Sequence, residues 1–207
     1  MKRIIKISLI LLLVGMAVIA AVPFFKEKRA ERKYENEFKK IQESVTEKKS
    51  DVNGLVKKNK DCIGYVEIQG TTISYPVMQT KDNPDFYLNH DFNRNYSFYG
   101  TPYLSAYCDV EKSDNLIIYG HNINGGKMFG ALEQYKDKEF FYKHRKIYFT
   151  TDKKREYEVF AVMSVNIHEF EYWKFVMARD EKEYDEFVDK VEEHSLWRQG
   201  NKPKYGE

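Results

Sequence analysis

A single histidine, His121, stands where a short apolar stretch of the sequence ends. Leu116–Tyr119 contains four consecutive apolar or aromatic residues, which indicates a strand buried on both faces, because a strand with one wet face would alternate. Gly120 ends this strand, and a glycine lets other backbone or a substrate approach closely. An imidazole in this position can transfer protons near neutral pH. The stretch therefore predicts either a catalytic histidine or a partly exposed polar cap.

Several other kinds of functional pattern are missing from the sequence. The five histidines show no His-x-x-x-His spacing and the two cysteines no Cys-x-x-Cys spacing, so no metal site is predicted. We find no glycine-rich phosphate loop followed by Lys-Ser/Thr and no Gly-x-Ser-x-Gly elbow, and we predict no cofactor. The 34 basic and 32 acidic side chains nearly balance, which gives no reason to expect nucleic-acid binding. What remains is a histidine without an evident nucleophile.

Cys62 and Cys108 are the two cysteines of the sequence. An exported domain could join them in a disulfide, or both could be buried thiols that behave as small hydrophobic groups. A third possibility is a thiol enzyme of another kind, in which Cys108 pairs with His121 across adjacent strands. The sequence alone leaves these alternatives open.

The body of the chain has the pattern of a β-rich domain. It is rich in aromatic residues, with 16 Tyr and 14 Phe, which suit half-buried strands. Strand-like runs around a turn predict two hairpins, over residues 63–77 and 146–165, and Pro76 is expected at an edge or a strand end. Helical spacing occurs at residues 85–92, 128–135 and 180–194. The predicted fold is a mixed or antiparallel β-barrel that carries helices at its rim.

The N-terminal region predicts a membrane anchor followed by a helical stalk. Residues 7–25 carry no charge and would span about 28 Å as a helix, close to the hydrocarbon thickness of a bilayer. A cleaved signal peptide is the competing interpretation, but the run is long for one and no Ala-x-Ala triplet occurs before the charged stretch that begins at Lys26. We predict a cytoplasmic tail over residues 1–6, an anchor over 7–25, a stalk or linker over 26–58 and an exported body over 59–207.

A set of motifs between about residues 60 and 195 resembles the class B sortases in order and spacing. The motifs are Tyr75-Pro76-Val77-Met78-Gln79, Lys81-Asp82-Asn83, Tyr87-Leu88-Asn89-His90-Asp91-Phe92, Gly100-Thr101, Asn115 to Asn122, Met128-Phe129 and Phe140-Phe141-Tyr142-Lys143-His144. The resemblance implies a sortase-like β-barrel with peripheral helices and a cysteine transpeptidase anchored in the membrane of a Gram-positive cell. Such an enzyme cleaves the sorting signal of a secreted protein and passes the acyl group to an amino group of peptidoglycan or lipid II.

The resemblance also implies roles for individual residues. His121 matches the catalytic histidine of the family, which protonates the leaving amine after a thiolate has attacked the scissile carbonyl. Asn83, Leu88 and Tyr119 match positions near the substrate groove, and Tyr172 matches an aromatic residue in the loop before the last helix. The alternative for each of these four residues is ordinary packing or loop capping.

The sequence departs from the family in its nucleophile. In the family, a Thr-Leu-Ser-Thr-Cys strand follows the histidine and an arginine follows on the next strand, whereas Cys62 and Cys108 both precede His121. Without that strand, Leu116–Tyr119 would leave an apolar edge with unpaired backbone groups. Our first hypothesis is a class B sortase whose last barrel strands are absent from these 207 residues, inactive as written. The alternative is a non-catalytic, membrane-tethered domain that binds a sorting-type peptide without cutting it.

Overall fold

A computed structural model describes residues 22–36, 39 and 51–206. Residue contacts divide the chain into two units, Met1–Glu47 and Lys48–Glu207. In the first unit, residues 22–36 form helix α1, which overlaps the predicted stalk. Within the ranges just given, no helix combines the length and the apolar character needed to cross a bilayer. The tail and the anchor predicted over residues 1–25 lie outside the described residues, apart from 22–25.

Short strands and helices make up the second unit. The strands are β1 (Cys62–Ile68), β2 (Ser74–Met78), β3 (Tyr103–Leu104), β4 (Ile118–Tyr119), β5 (Asn122–Ile123), β6 (Lys127–Met128), β7 (Lys146–Thr150), β8 (Lys154–Glu158), β9 (Ala161–Met163) and β10 (Ser195–Arg198). The helices are α2 (Val52–Lys58), α3 (Lys138–Lys143) and α4 (Glu181–Glu193). Three 3₁₀ segments cover Phe86–Leu88, Phe129–Lys136 and Tyr172–Lys174.

Six of the strands form one curled sheet in the order β4-β3-β2-β1-β7-β8. Its neighbours are antiparallel except for β2 and β3, which are parallel. The sheet must curl, because Ile118 of β4 and Ile147 of β7 line the same cleft although three strands separate them. The predicted mainly β fold with peripheral helices is confirmed. Among residues 51–206 the sheet does not close into a barrel, since β4 and β8 remain its two edges.

Both predicted hairpins form, with differences in detail. β1 and β2 pair antiparallel with Tyr65 opposite Pro76, so Pro76 lies inside the sheet and the prediction of an edge position is wrong. The sheet tolerates this proline because β3 pairs with β2 only at Met78, and the missing N–H of Pro76 therefore costs no ladder bond on that side. The second hairpin is β7–β8, and the chain then continues into β9, which pairs with β10. We did not predict β10.

Helix α4 packs against the two-stranded β9–β10 sheet, and helix α2 packs against β1 of the six-stranded sheet. The Asp180 carboxylate accepts a hydrogen bond from the Glu183 backbone N–H at 2.9 Å, which caps α4, and α4 lies within the helix predicted over residues 180–194. Helix α2 buries Val52 and Leu55, with 4% and 2% exposure. It occupies part of the stretch that we predicted as a linker, and it belongs to the second unit.

Candidate active site

Strand β4 carries the chain to His121 along one edge of the sheet. Ile118 and Tyr119 pair with β3, and both are only half-buried. The prediction of a strand buried on both faces is therefore wrong: Ile117 is the one buried residue of the apolar run, at 8% exposure. The reason is that β4 borders an open cleft on the side away from β3.

His121 follows β4, half-buried, and a main-chain carbonyl holds its ring. Nε2 lies 2.8 Å from the carbonyl oxygen of Leu88. Because a carbonyl only accepts hydrogen bonds, Nε2 carries the proton and Nδ1 is the basic nitrogen of the neutral ring. The backbone carbonyl of His121 accepts from the Phe129 N–H at 2.9 Å. The structure thus brings together two predicted site residues, and Leu88 contributes its backbone to the contact.

Other histidines of the described residues also bond carbonyl groups. Nδ1 of His90 lies 2.7 Å from the Phe86 oxygen, and Nδ1 of His194 lies 2.8 Å from the Lys190 oxygen, four residues away in each case. Nδ1 of His144 lies 3.2 Å from the Gln69 oxygen, 75 residues away. Among these four histidines, His121 alone follows a residue that lines the cleft, Gly120. In the part of the chain that the structure describes, no cluster of three or more His, Cys, Asp or Glu side chains could hold a metal ion.

Tyr119 and Tyr172 lie on the wall of a single cleft of about 460 Å³. Burial raises the pKa of Tyr119, and the nearby phenol of Tyr172 is the second cause. The Tyr119 ring also packs on Tyr103, with 5.3 Å between the ring centroids. Two predicted groove residues from distant parts of the sequence therefore meet on one wall.

The remainder of the cleft is mostly apolar and connects the two ends of the curled sheet. Residues of β4 form one side, and residues of β7, β9 and β10 form the other. The apolar side chains on these surfaces include Ile118, Phe129, Leu132, Ile147, Val162 and Leu196. At Gly120 a Cβ atom would lie 2.6 Å from the Phe129 ring, so the close approach at this glycine is made by a side chain and not by the backbone or substrate that we predicted. A groove beside a free strand edge can accept an extended chain segment.

Asn83 begins the loop that leads to the 3₁₀ turn at Phe86–Leu88, and its side chain is exposed. Its backbone carbonyl accepts hydrogen bonds from the Phe86 N–H at 3.0 Å and from the Thr80 hydroxyl at 2.6 Å. These contacts shape the loop and leave the side chain to solvent. A role of Asn83 in substrate binding stays a prediction.

Neither cysteine presents a reactive thiol. Cys62 and Cys108 are free and buried, with 2% and 0% exposure, so the disulfide alternative is wrong and the alternative of two buried thiols is confirmed. Burial raises the pKa of Cys62 to about 12, which leaves almost no nucleophilic thiolate near neutral pH. The Cys108 thiol donates to the Asn115 carbonyl at 3.3 Å and accepts from the Ile117 N–H at 3.5 Å. A Cys108–His121 enzyme is therefore not supported.

Sequence reasoning missed a polar cluster behind Tyr119. The Tyr103 hydroxyl donates to the Asp85 carboxylate at 3.1 Å, and burial together with this carboxylate raises the pKa of Tyr103. A hydrogen bond with Ser105 opposes the effect of burial on Tyr119. Burial keeps both phenols protonated, and the hydrogen bonds to Asp85 and Ser105 hold in place the Tyr103 ring and the Tyr119 ring, which lies on the cleft wall. No local sequence signal marks the cluster, because β3–β4 pairing brings its members together.

Comparison with known proteins shows the relatives of this chain. The family model named Sortase domain matches residues 66–190, more than half of the chain. Sortase B of Staphylococcus aureus is 29% identical over 205 residues, which cover 95% of this chain and 83% of that protein. Sortase B of Listeria monocytogenes is 32% identical over 153 residues, which cover 73% of this chain and 61% of that protein. A crystal structure of Staphylococcus aureus Sortase B superposes with a TM-score of 0.74 at 27% identity, covering 84% and 83% of the two chains.

Proposed function

Because this chain belongs to the class B sortases, a family of cysteine transpeptidases, we propose that it supplies the histidine and the peptide groove of a cell-wall sorting enzyme. The observation that carries the proposal is the placement of His121. It follows the edge strand β4 after Gly120, with its ring held on the Leu88 carbonyl and with the cleft that Tyr119 and Tyr172 line beside it. This arrangement puts a proton-transfer group next to a groove that suits an extended peptide.

The sorting signal of a secreted protein would bind in extended form. In this proposal, Tyr119 and Tyr172 offer aromatic surface to its side chains. Asn83 and Leu88 do not line the cleft and would meet the part of the peptide that passes His121, which the Leu88 carbonyl holds. The half-exposed apolar side chains that line the cleft support binding of a chain segment, because their burial against a peptide is favourable.

The proposed chemistry is covalent catalysis through a thioester. A cysteine thiolate attacks the scissile carbonyl, and the resulting oxyanion is stabilised by an arginine. His121 gives its proton to the leaving amine as the C–N bond breaks, which leaves the acyl group on sulfur. The amine of peptidoglycan or lipid II then attacks the thioester and gives a proton to His121, and the thiolate leaves. His121 thus acts once as an acid and once as a base.

The thiolate and the arginine of this scheme have no candidates in the described site. Both cysteines of the sequence are buried away from this chemistry, so we propose that a strand outside the 207 residues carries the nucleophile and lies in the cleft along β4. Two features support this: β4 is an edge of the sheet, and the cleft beside it is apolar. An uncovered apolar strand edge is rare in native proteins.

We propose that the enzyme is anchored in the cell membrane with its N-terminus in the cytoplasm and its body outside the cell. The support is the uncharged run over residues 7–25, which is long enough to span a bilayer as a helix. Secreted proteins with a sorting signal and the amine acceptor of the cell wall would meet the body on the outer face.

A binding function without cleavage is the second candidate. The observation in its favour is the burial of both thiols, because the 207 residues then hold a peptide groove and a histidine without a nucleophile. In this case the chain would bind a sorting-type peptide and release it intact.

The test uses native protein extracted from its membrane, first by intact mass and then by cleavage of a library of sorting-signal peptides. We expect a mass above that of the 207 residues, and a loss of cleavage of about 10²- to 10⁴-fold in the His121→Ala variant, since general acid–base catalysis contributes about this factor. His168→Ala is the control, because His168 is exposed and neither of its neighbours in the chain lines the cleft. Cleavage that survives His121→Ala would contradict the proposal. Binding without cleavage, at the mass of the 207 residues, would favour the second candidate.

A further inference from the structure

We infer that Asn59, Asp61 and Tyr87 act as positioning residues for His121. These three residues, here called the Tyr87 network, hold the Leu88 carbonyl in place, and the carbonyl in turn keeps the proton on Nε2 so that Nδ1 exchanges protons with substrate. The importance of this device for catalysis rests on the proposed function. Its geometry can be tested independently of any activity.

The backbone carbonyl groups on either side of Leu88 accept hydrogen bonds from another segment, and the Leu88 carbonyl is the one that points to His121. The Tyr87 carbonyl accepts from the Thr101 N–H at 2.9 Å, and the Asn89 carbonyl accepts from the Ser97 N–H at 2.8 Å. The His90 carbonyl accepts from the Thr101 hydroxyl at 3.0 Å. The segment of residues 97–101 therefore ties down the carbonyls on both sides of Leu88, while the Leu88 oxygen bonds the imidazole.

Gly100 makes this close contact between the two segments possible. Its φ is +58°, and a Cβ atom there would lie 2.4 Å from the Leu88 oxygen and 2.6 Å from the Tyr87 oxygen. Both oxygen atoms belong to the backbone, so they can move only if the whole loop moves. A glycine at this position therefore lets residues 97–101 press directly against the carbonyl that holds His121.

The Tyr87 network fixes the same turn from the other side. Tyr87 is fully buried, and its hydroxyl donates to the Asp61 carboxylate at 2.8 Å and accepts from the Asn59 amide at 2.8 Å. The same amide nitrogen donates to the Phe92 carbonyl at 2.6 Å, so one side chain holds both ends of the loop. Asn59 is itself held at the end of α2, where its N–H donates to the Leu55 carbonyl at 2.9 Å.

The protonation pattern of His121 follows from this support. A carbonyl oxygen has no hydrogen to donate, so the bond to Leu88 forms only when Nε2 is protonated, in the neutral ring as well as in the cation. If the carbonyl moves, the other neutral tautomer becomes accessible, with its hydrogen on Nδ1. That tautomer offers a donor at the nitrogen that must accept a proton from the incoming amine. Residues that hold the carbonyl therefore act on His121 without touching the substrate.

The experiment measures the tautomer of His121 by ¹⁵N NMR in the full 207-residue chain, labelled at histidine, with His121 assigned by its loss in His121→Ala. We expect the Nε2–H form to dominate in the unaltered chain. In Tyr87→Phe we expect the ratio of Nε2–H to Nδ1–H to fall about threefold or more, the size of effect that follows from weakening one hydrogen bond. The matched control is Tyr65→Phe, because Tyr65 is also buried and its hydroxyl bonds Ser74 at 2.9 Å, in the first hairpin.

An unchanged tautomer ratio in Tyr87→Phe, or an equal change in both variants, would overturn the inference and leave the Tyr87 network a purely structural role. If Tyr87→Phe does not fold, Asp61→Ala takes its place, because the Asp61 side chain is 22% exposed and its truncation removes the acceptor of the Tyr87 hydroxyl. The same fall in ratio is expected there, and no fall would again count against the inference. Loss of the proposed function would appear differently, as peptide cleavage that is indifferent to His121→Ala while the tautomer ratio still responds to Tyr87→Phe.

Discussion

The two sides of His121 are built in opposite ways. On the Leu88 side, polar groups are buried and hydrogen-bonded, as with Asn59, Ser97 and Thr101 at 9%, 1% and 2% exposure. On the cleft side, apolar side chains stand half-exposed, and Leu196 of β10 is 44% exposed. In the described ranges, no fully buried side-chain nitrogen or oxygen atom lacks a hydrogen-bond partner. One side therefore fixes the histidine, and the other leaves room for a chain segment.

The contrast follows from the forces on each side. Hydrogen bonds are directional, and a buried set in which every group is paired holds its members in one arrangement. Hydrophobic contact is non-directional and depends mainly on the area removed from water. In the proposed function, the first kind of contact would hold the imidazole in one orientation, and the second kind would accept the side chains of a peptide.

The largest expected effect is a difference in stability between truncating a side chain on the Leu88 side of His121 and truncating one on the cleft side. Tyr87→Ala should lower the free energy of unfolding by about 3–5 kcal/mol, because it opens a cavity and leaves the Asn59 amide with one partner fewer. Leu196→Ala should cost less than about 1 kcal/mol, since that side chain is already exposed. Urea denaturation of both variants measures the difference. Similar costs would show that the two sides are equally rigid.

Gly100→Ala tests the close backbone contact under the Leu88 carbonyl. We expect a loss of about 1–3 kcal/mol, from the positive φ and from the clash with two carbonyl oxygens. Gly125→Ala is the control, because Gly125 has a φ of +79° and nothing lies within 4 Å of its added Cβ. The excess cost at Gly100, measured by thermal unfolding, isolates the clash. No excess would mean that the loop moves aside freely.

Alkaline pH should destabilise the folded chain through the buried thiol of Cys62. The folded chain keeps this thiol protonated up to a pKa of about 12, whereas the unfolded chain loses the proton near pH 8.5 to 9. Between these values the folded state binds more protons, so stability falls as pH rises, by about 2 kcal/mol at pH 10.5. Cys62→Ala should lack this component, which denaturation at pH 8 and pH 10.5 would reveal. Parallel pH profiles of the two proteins would contradict the assignment.

The smallest expected effect lies at the rim of the Tyr87 network. Arg94 pairs with Asp61 and stands over the Phe86 ring, with its guanidinium carbon 4.7 Å from the ring centroid. Because the Arg94 side chain is 53% exposed, Arg94→Ala should cost about 1 kcal/mol or less. Added salt should reduce the cost further. A loss of stability as large as that of Tyr87→Ala would show that the rigid, hydrogen-bonded side includes Arg94 at the surface.

Local patterns predicted the elements that depend on neighbouring residues. The first hairpin formed around its glycine turn and α4 formed behind its aspartate cap, because turn and cap residues act on the backbone beside them. Strand β10 and the break between β8 and β9 were missed, since each depends on a partner far along the chain. The position of Pro76 was misjudged for the same reason: its tolerance depends on how little of β2 pairs with β3.

The sequence by itself predicted the mainly β body and the family, and it proposed His121 as the candidate catalytic residue, because these are carried by residue types and spacings. Only the tertiary structure decided which groups His121 meets. It joined the ring to the Leu88 carbonyl, set Tyr172 beside Tyr119 and buried both thiols. The physical reason is distance along the chain: a contact between residues 33 positions apart depends on how the loops and strands between them pack, and no local preference encodes it.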